Sequence, residues 1–197
     1  DGADEDAGGS GPRSRVATAV ERADETVLDT VAYLRVGRTG RPAEDVDLAA
    51  LARAAWDALG EAAADASLDV RDIGVVRGDA SLLTDAFERV FDNALDHAGD
   101  APALVVDAFE RDGERGFYVA DDGPGIEEAD REAVLTLGGT TVEGGTGYGL
   151  PTVARIAARH GWDVSVGESA RGGTRVEFVT RPRVPDVRNE RSDPRLS

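Results

Sequence analysis

Cysteine, methionine and lysine are all absent from this chain of 197 residues. Without cysteine no disulfide framework can form. Without lysine every basic side chain is arginine. No run is long or apolar enough to span a membrane as a helix. The opening residues do not read as a signal peptide. A chain that opens on Asp1 is expected to be a fragment or a processed product. Basic residues are also few: 22 against 39 acidic ones, a net charge of -17. Non-specific nucleic-acid binding needs basic patches, so that class is set aside. The acidic excess fits an acidic interaction surface. It also fits adaptation to a salt-rich cytoplasm, where a high acidic charge keeps a screened protein soluble. The acids are spread along the chain rather than gathered in a tail, which favours the salt reading, as does the missing lysine.

The length accommodates one ordinary domain with appendages. Residues 1–14 are rich in Asp, Gly and Ala, have no apolar period, and are expected to be disordered. Val16, Val20, Ala23, Val27, Thr30 and Leu34 then alternate spacings of four and three, a heptad stripe that predicts a helix over 15–36. The stripe fits a helix packed on its own domain, or half of a helical hairpin or dimer stem. Residues 37–45 carry two glycines and Pro42 and read as a linker. Asp47 is placed to cap a helix over Leu48–Leu59. Two short strands follow, Ser67–Val70 and Gly74–Arg77.

The clearest helix runs from Asp79 to Ala98, with Leu82, Leu83, Ala86, Phe87, Val90, Phe91, Ala94 and Leu95 on a broad apolar face. Asn93 lies beside that stripe. Its amide either bonds a neighbouring backbone group or is aimed at a ligand. Strands over Ala103–Glu110 and Gly116–Asp121 are joined by a turn containing Asp112-Gly113, a hairpin signal. A closing hairpin is expected from Trp162–Gly167 and Thr174–Thr180, and 182–197 read as a tail.

The stretch from Asp121 to Leu150 organises the rest. It begins Asp-Asp-Gly-Pro-Gly-Ile and ends Gly-Thr-Gly-Tyr-Gly-Leu at the start of a helix running to His160. Glycine lets backbone N–H groups approach a ligand unhindered. A glycine loop running into a helix N-terminus presents unpaired N–H groups and a positive dipole end to an anion. Pro151 sits in the first turn, where a missing N–H costs little. The pattern reads as a nucleotide pocket with a mobile lid. The irregular order of helices and hairpins predicts an α+β, two-layer sandwich: a mixed, mostly antiparallel sheet with helices on one face, plus an N-terminal stem helix.

Three stretches, Phe87–His97, Asp121–Ile126 and Gly144–Leu150, resemble in order and spacing the N, G1 and G2 boxes of sensor histidine kinase ATP-binding domains. These share the Bergerat fold with gyrase and mismatch-repair ATPases. Gly172-Gly-Thr174 resembles the last glycine box. The likeness covers roughly Asp47 to Thr180, within a domain of 46–181, and is similar to such domains of halophilic archaea. It implies that Asn93 coordinates Mg²⁺ bridging the ATP phosphates, a hard cation suited to oxygen ligands. It implies that Asp121 accepts a hydrogen bond from the adenine amino group. Gly123, Gly125 and Ile126 would lie along the base. Gly145, Thr146, Gly147, Tyr148, Gly149 and Leu150 would bring N–H groups to the phosphates. Thr174 would reach adenine through water, and Asp96 and His97 would lie near ribose and phosphate. Glu88 is a candidate general base for activating an acceptor histidine.

The chain departs from that pattern in places. Arg89 stands where the N box usually has Asn or His, and would either contact phosphate or, the favoured reading, form a surface ion pair. A gyrase-type ATPase has its general-base Glu there. The lid, Val134–Thr141, lacks the usual Phe box. The two histidines, His97 and His160, are not in an acceptor motif. The resemblance therefore implies a catalytic domain that transfers the ATP γ-phosphate to a histidine of another chain or segment, in two-component signal transduction. Its expected partners are an acceptor domain, a response regulator, and a second copy through the stem helix. The alternative is a regulatory ATP-binding module, either an anti-sigma-like serine kinase or an inactive scaffold.

Overall fold

The computed structural model describes Leu34, Val36 and residues 43–111, 113–137 and 147–180. Apart from Leu34 and Val36, the expected stem helix lies outside the described residues, as do the N-terminal segment and the tail. Strands β1 (Glu44–Asp47), β2 (Ser67–Val70), β3 (Val75–Gly78), β4 (Ala103–Arg111), β5 (Glu114–Ala120), β6 (Asp163–Glu168) and β7 (Thr174–Val179) form two sheets. The larger has the order β2-β4-β5-β7-β6, with β2 parallel to β4 and every other pair antiparallel. Helices α1 (Leu48–Leu59), α2 (Ala80–His97) and α3 (Gly149–Arg159) share one core with it. The α+β sandwich expected from the sequence is the fold observed.

The linker reading gave up two residues. Glu44 and Asp45 belong to β1, which pairs antiparallel with β3 in a separate two-stranded ribbon. Only Val46 of the four β1 residues is buried, so no alternation marked the strand.

Local chemistry sets the helix starts. Asp47 Oδ1 accepts from Ala50 N at 3.0 Å, and Asp79 Oδ1 accepts from Ser81 N at 3.1 Å. Both caps satisfy N–H groups that the first helical turn leaves open. Alternation sets the sheet's inner face: Leu104 and Val106, Phe117 and Val119, and Val176 and Phe178 are all buried. Only 5% of the chain is aromatic, but those rings are concentrated. Phe117 stacks on Phe178 at 4.6 Å and meets Phe87 at 5.6 Å and Trp162 at 5.9 Å. Phe87 in turn stacks on Phe91, which takes Trp56 edge-on at 5.3 Å. Each such pair adds about 1 kcal/mol beyond burial, so this chain of rings ties α1 and α2 to the middle of the sheet.

His160 closes the end of α3. Its Nε2 accepts from Asp79 N at 3.0 Å, and its Nδ1 lies 2.8 Å from Ile156 O. Nε2 is therefore the unprotonated nitrogen and Nδ1 carries the proton. Both ring nitrogens are committed, and the ring docks α3 against the start of α2. Val36 is buried with Ala86 and Ile156 on the other side of this helix pair, where Arg159 Nη1 donates to Val36 O at 2.9 Å.

The outer sheet face carries a charge cluster. Arg111 grips Glu177 with two bonds of 2.9 and 2.6 Å, and Arg175 adds a third at 2.6 Å. Arg175 also lies 3.4 Å over the Tyr118 ring, a cation–π contact. Burial alone would raise the Glu177 carboxyl, but the two guanidinium groups outweigh it and hold it below its ordinary 4.5. A carboxyl held low in the fold stabilises above its unfolded value, and that stabilisation is lost as pH falls through the folded one. Glu177→Gln is therefore expected to cost on the order of 2 kcal/mol at pH 7. Urea unfolding from pH 7 down to 3 should show the gap to wild type closing below about 4.5. A gap independent of pH would contradict the charge assignment.

Candidate functional site

Asp121 stands one residue past the end of β5, beyond the last ladder pairs Val105↔Ala120 and Ala120↔Arg175. It is nonetheless fixed at three points. Its N–H donates to Thr174 O at 2.9 Å. Its carbonyl accepts from Ser169 Oγ at 2.7 Å. Its Oδ1 accepts from Gly123 N and from Thr174 N, each at 2.9 Å. No described residue donates to Oδ2. Among the described residues no buried polar side-chain atom lacks a partner, so Oδ2 is an exposed acceptor at the edge of a buried residue. One oxygen is held by the protein and the other has no donor among the described residues.

The glycines around it are set by close approach. A Cβ on Gly173 would fall into the Asp121 carboxylate and carbonyl and within 2.6 Å of Gly123 N. A Cβ on Gly123 would collide with Ala98 at the end of α2, so the turn after β5 lies directly against that helix. Gly125 adopts φ 75°, a left-handed conformation that favours glycine, and lies against Gly172 and Gly173. Ile126 is half-buried and packs on the main core. Asp122 Oδ1 accepts from Ala103 N at 2.8 Å, which fastens the same turn to the start of β4.

α2 brings up Asn93. It is half-buried and its amide has no hydrogen bond among the described residues, which favours the ligand reading over a bond to neighbouring backbone. Asp96 and His97 follow in the last turn of α2 and are exposed. Arg89, four residues before Asn93, pairs with Asp85 at 2.9 Å. The ion pair was expected, but not its covering: the Arg89 side chain is only 13% exposed. Glu88 is half-buried, and burial, then Asp85 and Asp92, raise its carboxyl above the ordinary 4.5 while Arg89 opposes them. It lies five residues before Asn93, about 140° round the helix, so the two do not share a face.

The third part is the N-terminus of α3. Tyr148 occupies the cap position without a side-chain cap bond, and Gly147 before it has φ 70°. The first-turn N–H groups are therefore not satisfied by a capping side chain. Among the described residues a Cβ at Gly149 would meet nothing within 4 Å. Leu150 is buried in the core and anchors the turn. Gly145 and Thr146 lie outside the described residues. Thr174 is buried, and its backbone rather than its side chain holds Asp121.

Ser169 and Gly173 were missed as site residues by sequence reasoning. Gly173 sat inside the recognised glycine box. Ser169 carried no local signal, because its role depends on a partner 48 residues away. As for a divalent cation, Asn93 offers an amide oxygen with no partner among the described residues. No group of three or more His, Cys, Asp or Glu side chains is gathered for a metal among the described residues. A cation here would draw its other ligands from phosphate and water, which suits Mg²⁺.

Residues 78–184 match the family described as histidine kinase-, DNA gyrase B- and HSP90-like ATPases. The chain is 29% identical over 175 residues to the methanogenesis regulatory histidine kinase FilI of Methanothrix harundinacea, covering 82% of this chain and 19% of that protein. It is 29% identical over 170 residues to the histidine-protein kinase/phosphatase MprB of a Mycobacterium species, covering 83% of this chain and 33% of MprB. The chain thus spans about a fifth to a third of the curated relatives it matches. The solved mycobacterial MprB sensor kinase superposes with a TM-score of 0.62 at 25% identity, over 70% of this chain and 96% of that one. Full-length ShkA in complex with AMPPNP shares the fold, with a TM-score of 0.63 at 24% identity, over 87% of this chain and 39% of ShkA.

The crowding at Gly173 gives a direct test of the turn. Gly173→Ala should lower the thermal midpoint on the order of 5–10 °C, because an inserted methyl in a packed site costs about 1–3 kcal/mol. Gly167→Ala, where a Cβ meets nothing within 4 Å, should change it by less than about 2 °C. Equal midpoints for the two variants would show that the turn is not packed as described.

Proposed function

The chain belongs to the histidine kinase-, DNA gyrase B- and HSP90-like ATPase family, and from that premise we propose that it is the ATP-binding catalytic domain of a sensor histidine kinase. The observation that carries the reading is the Asp121 carboxylate, with one oxygen held by Gly123 and Thr174 N–H groups and the other open. Oδ2 accepts from the adenine amino group. Gly123, Gly125 and Ile126 flank the base, and Thr174 meets it through water. The uncapped start of α3, from Gly147 to Leu150, faces the phosphates with Gly145 and Thr146. Asn93 would hold Mg²⁺, which would supply charge neutralisation at the phosphates, and Asp96 and His97 lie toward ribose and phosphate.

In the proposed reaction an imidazole nitrogen of the acceptor attacks the γ-phosphorus. The bond from that phosphorus to the β–γ bridging oxygen breaks, ADP leaves, and the imidazole N–H proton passes to a base. Positioning and charge neutralisation supply most of the rate. Glu88 is the candidate base. Its raised carboxyl is a better proton acceptor than an ordinary Glu, and it lies on a helix face next to, not within, the nucleotide site. His160 is not the acceptor in this reading, since both its nitrogens are engaged. The acceptor stands on another segment or chain, reached through the stem helix of residues 15–36 in a dimer, and the phosphoryl group passes on to a response regulator. We read the acidic balance as adaptation to a salt-rich cytoplasm, as in halophilic archaea. The second reading is an anti-sigma-like serine kinase or inactive scaffold, and Arg89, where the N box usually has Asn or His, pairs with Asp85.

Labelled ATP and a separate acceptor-helix protein discriminate these readings. Transfer should require Mg²⁺, fall at least about a hundredfold in Asn93→Ala, and give an acid-labile phosphoramidate. Glu88→Gln should slow it on the order of a hundredfold, and the wild-type rate should fall off on the acid side at a pH above 4.5. An acid-stable serine phosphate, or no transfer despite nucleotide binding, would support the second reading.

A further inference from the structure

Ser169 lies in the turn between β6 and β7 and is 7% exposed. Its hydroxyl is fully used. Oγ donates to Asp121 O at 2.7 Å and accepts from Gly173 N at 3.0 Å and Arg171 N at 3.1 Å. A serine hydroxyl has one proton and two acceptor sites, so nothing is spare. The turn is also closed on itself: Ser169 N donates to Gly173 O at 2.8 Å and Gly172 N to Ser169 O at 3.0 Å. Those bonds suffice to make a turn. The bond to Asp121 does something further, because it joins the turn to the residue just past the end of β5.

We propose that Ser169 is a positioning residue for base recognition. Its hydroxyl locks the Asp121 carbonyl while Thr174 locks the Asp121 N–H and Oδ1, so that Oδ2 stands at one fixed place. The proposal rests on the reading of Asp121 as the receptor for the adenine amino group. Remove the hydroxyl and the Gly173 and Arg171 N–H groups and the Asp121 carbonyl all lose a partner. The carboxylate then swings with a loosened turn. A hydrogen bond that depends on its placement weakens, while phosphate contacts at the start of α3 are untouched.

The test compares ATP with purine riboside triphosphate, which lacks only the 6-amino group, by calorimetric titration on the full chain with Mg²⁺. Wild type should prefer ATP by about 10- to 100-fold, the worth of one charge-assisted hydrogen bond. Ser169→Ala should cut that preference about tenfold while affinity for the analogue stays within about threefold. Ser169→Thr should restore it, and Ser169→Cys, a weaker donor of similar size, should fall between. If Ser169→Ala does not fold, the ratio in Ser169→Cys decides. A full preference in the alanine variant, or an equal loss for both nucleotides, would overturn the proposal. No preference in wild type would instead remove the reading of Asp121 on which it rests.

Discussion

A carboxylate that leaves a strand end and is still immobile is the constraint on which this site depends. Past the end of β5 the Asp121 N–H still bonds Thr174 O at the start of β7, its carbonyl is held by Ser169 of the β6–β7 turn, and one carboxylate oxygen is held by Thr174 and by Gly123 of the glycine turn that follows. The two bonds to the carboxylate oxygen are charge-assisted, each worth about twice a neutral one. Their cost is paid in side-chain volume: Gly123 and Gly173 have no room for a Cβ. The glycines are therefore less a sign of flexibility than of close backbone approach.

The rest of the molecule keeps that point in register with two helices. The aromatic chain from Trp56 to Phe178 fixes α2 on the sheet. Ala98, at the end of α2, lies against Gly123, so the helix that carries Asn93 and the turn that carries Asp121 are in direct contact. His160 ties the far end of α3 to the start of α2, which holds the uncapped N-terminus of α3 in place from behind. The positions proposed for base, metal and phosphate thus come from three elements braced on one core.

Much of this was legible because it is local. Asp47 and Asp79 announce their helices, and both cap as expected. Alternating apolar residues mark β4, β5 and β7, and the glycine boxes mark the turns. What was not legible is what depends on partners distant in sequence. β1 has one buried residue and becomes a strand only by pairing with β3. Arg89 reads as a surface residue from its neighbours, but the packing around α2 covers its pair with Asp85. Ser169 looks like any turn serine until the fold brings Asp121 to it. Glu88, named by the resemblance as a base toward an acceptor histidine, lies about 140° round the helix from Asn93, a separation its position in the sequence already gives.

The central claim is that Asp121 Oδ2 is the acceptor that selects the nucleotide, and exchange of that one atom tests it most directly. Asp121→Asn keeps the shape and leaves Oδ1 to accept from Gly123 and Thr174, but puts an NH₂ where Oδ2 stood, so that a donor faces the adenine amino group. Titrating ADP with Mg²⁺ into wild type and variant should show affinity falling at least about a hundredfold, with the thermal midpoint of the free protein changed by only a few degrees. Unchanged affinity in a folded Asp121→Asn would mean that the carboxylate is a structural pin and that the nucleotide is recognised elsewhere.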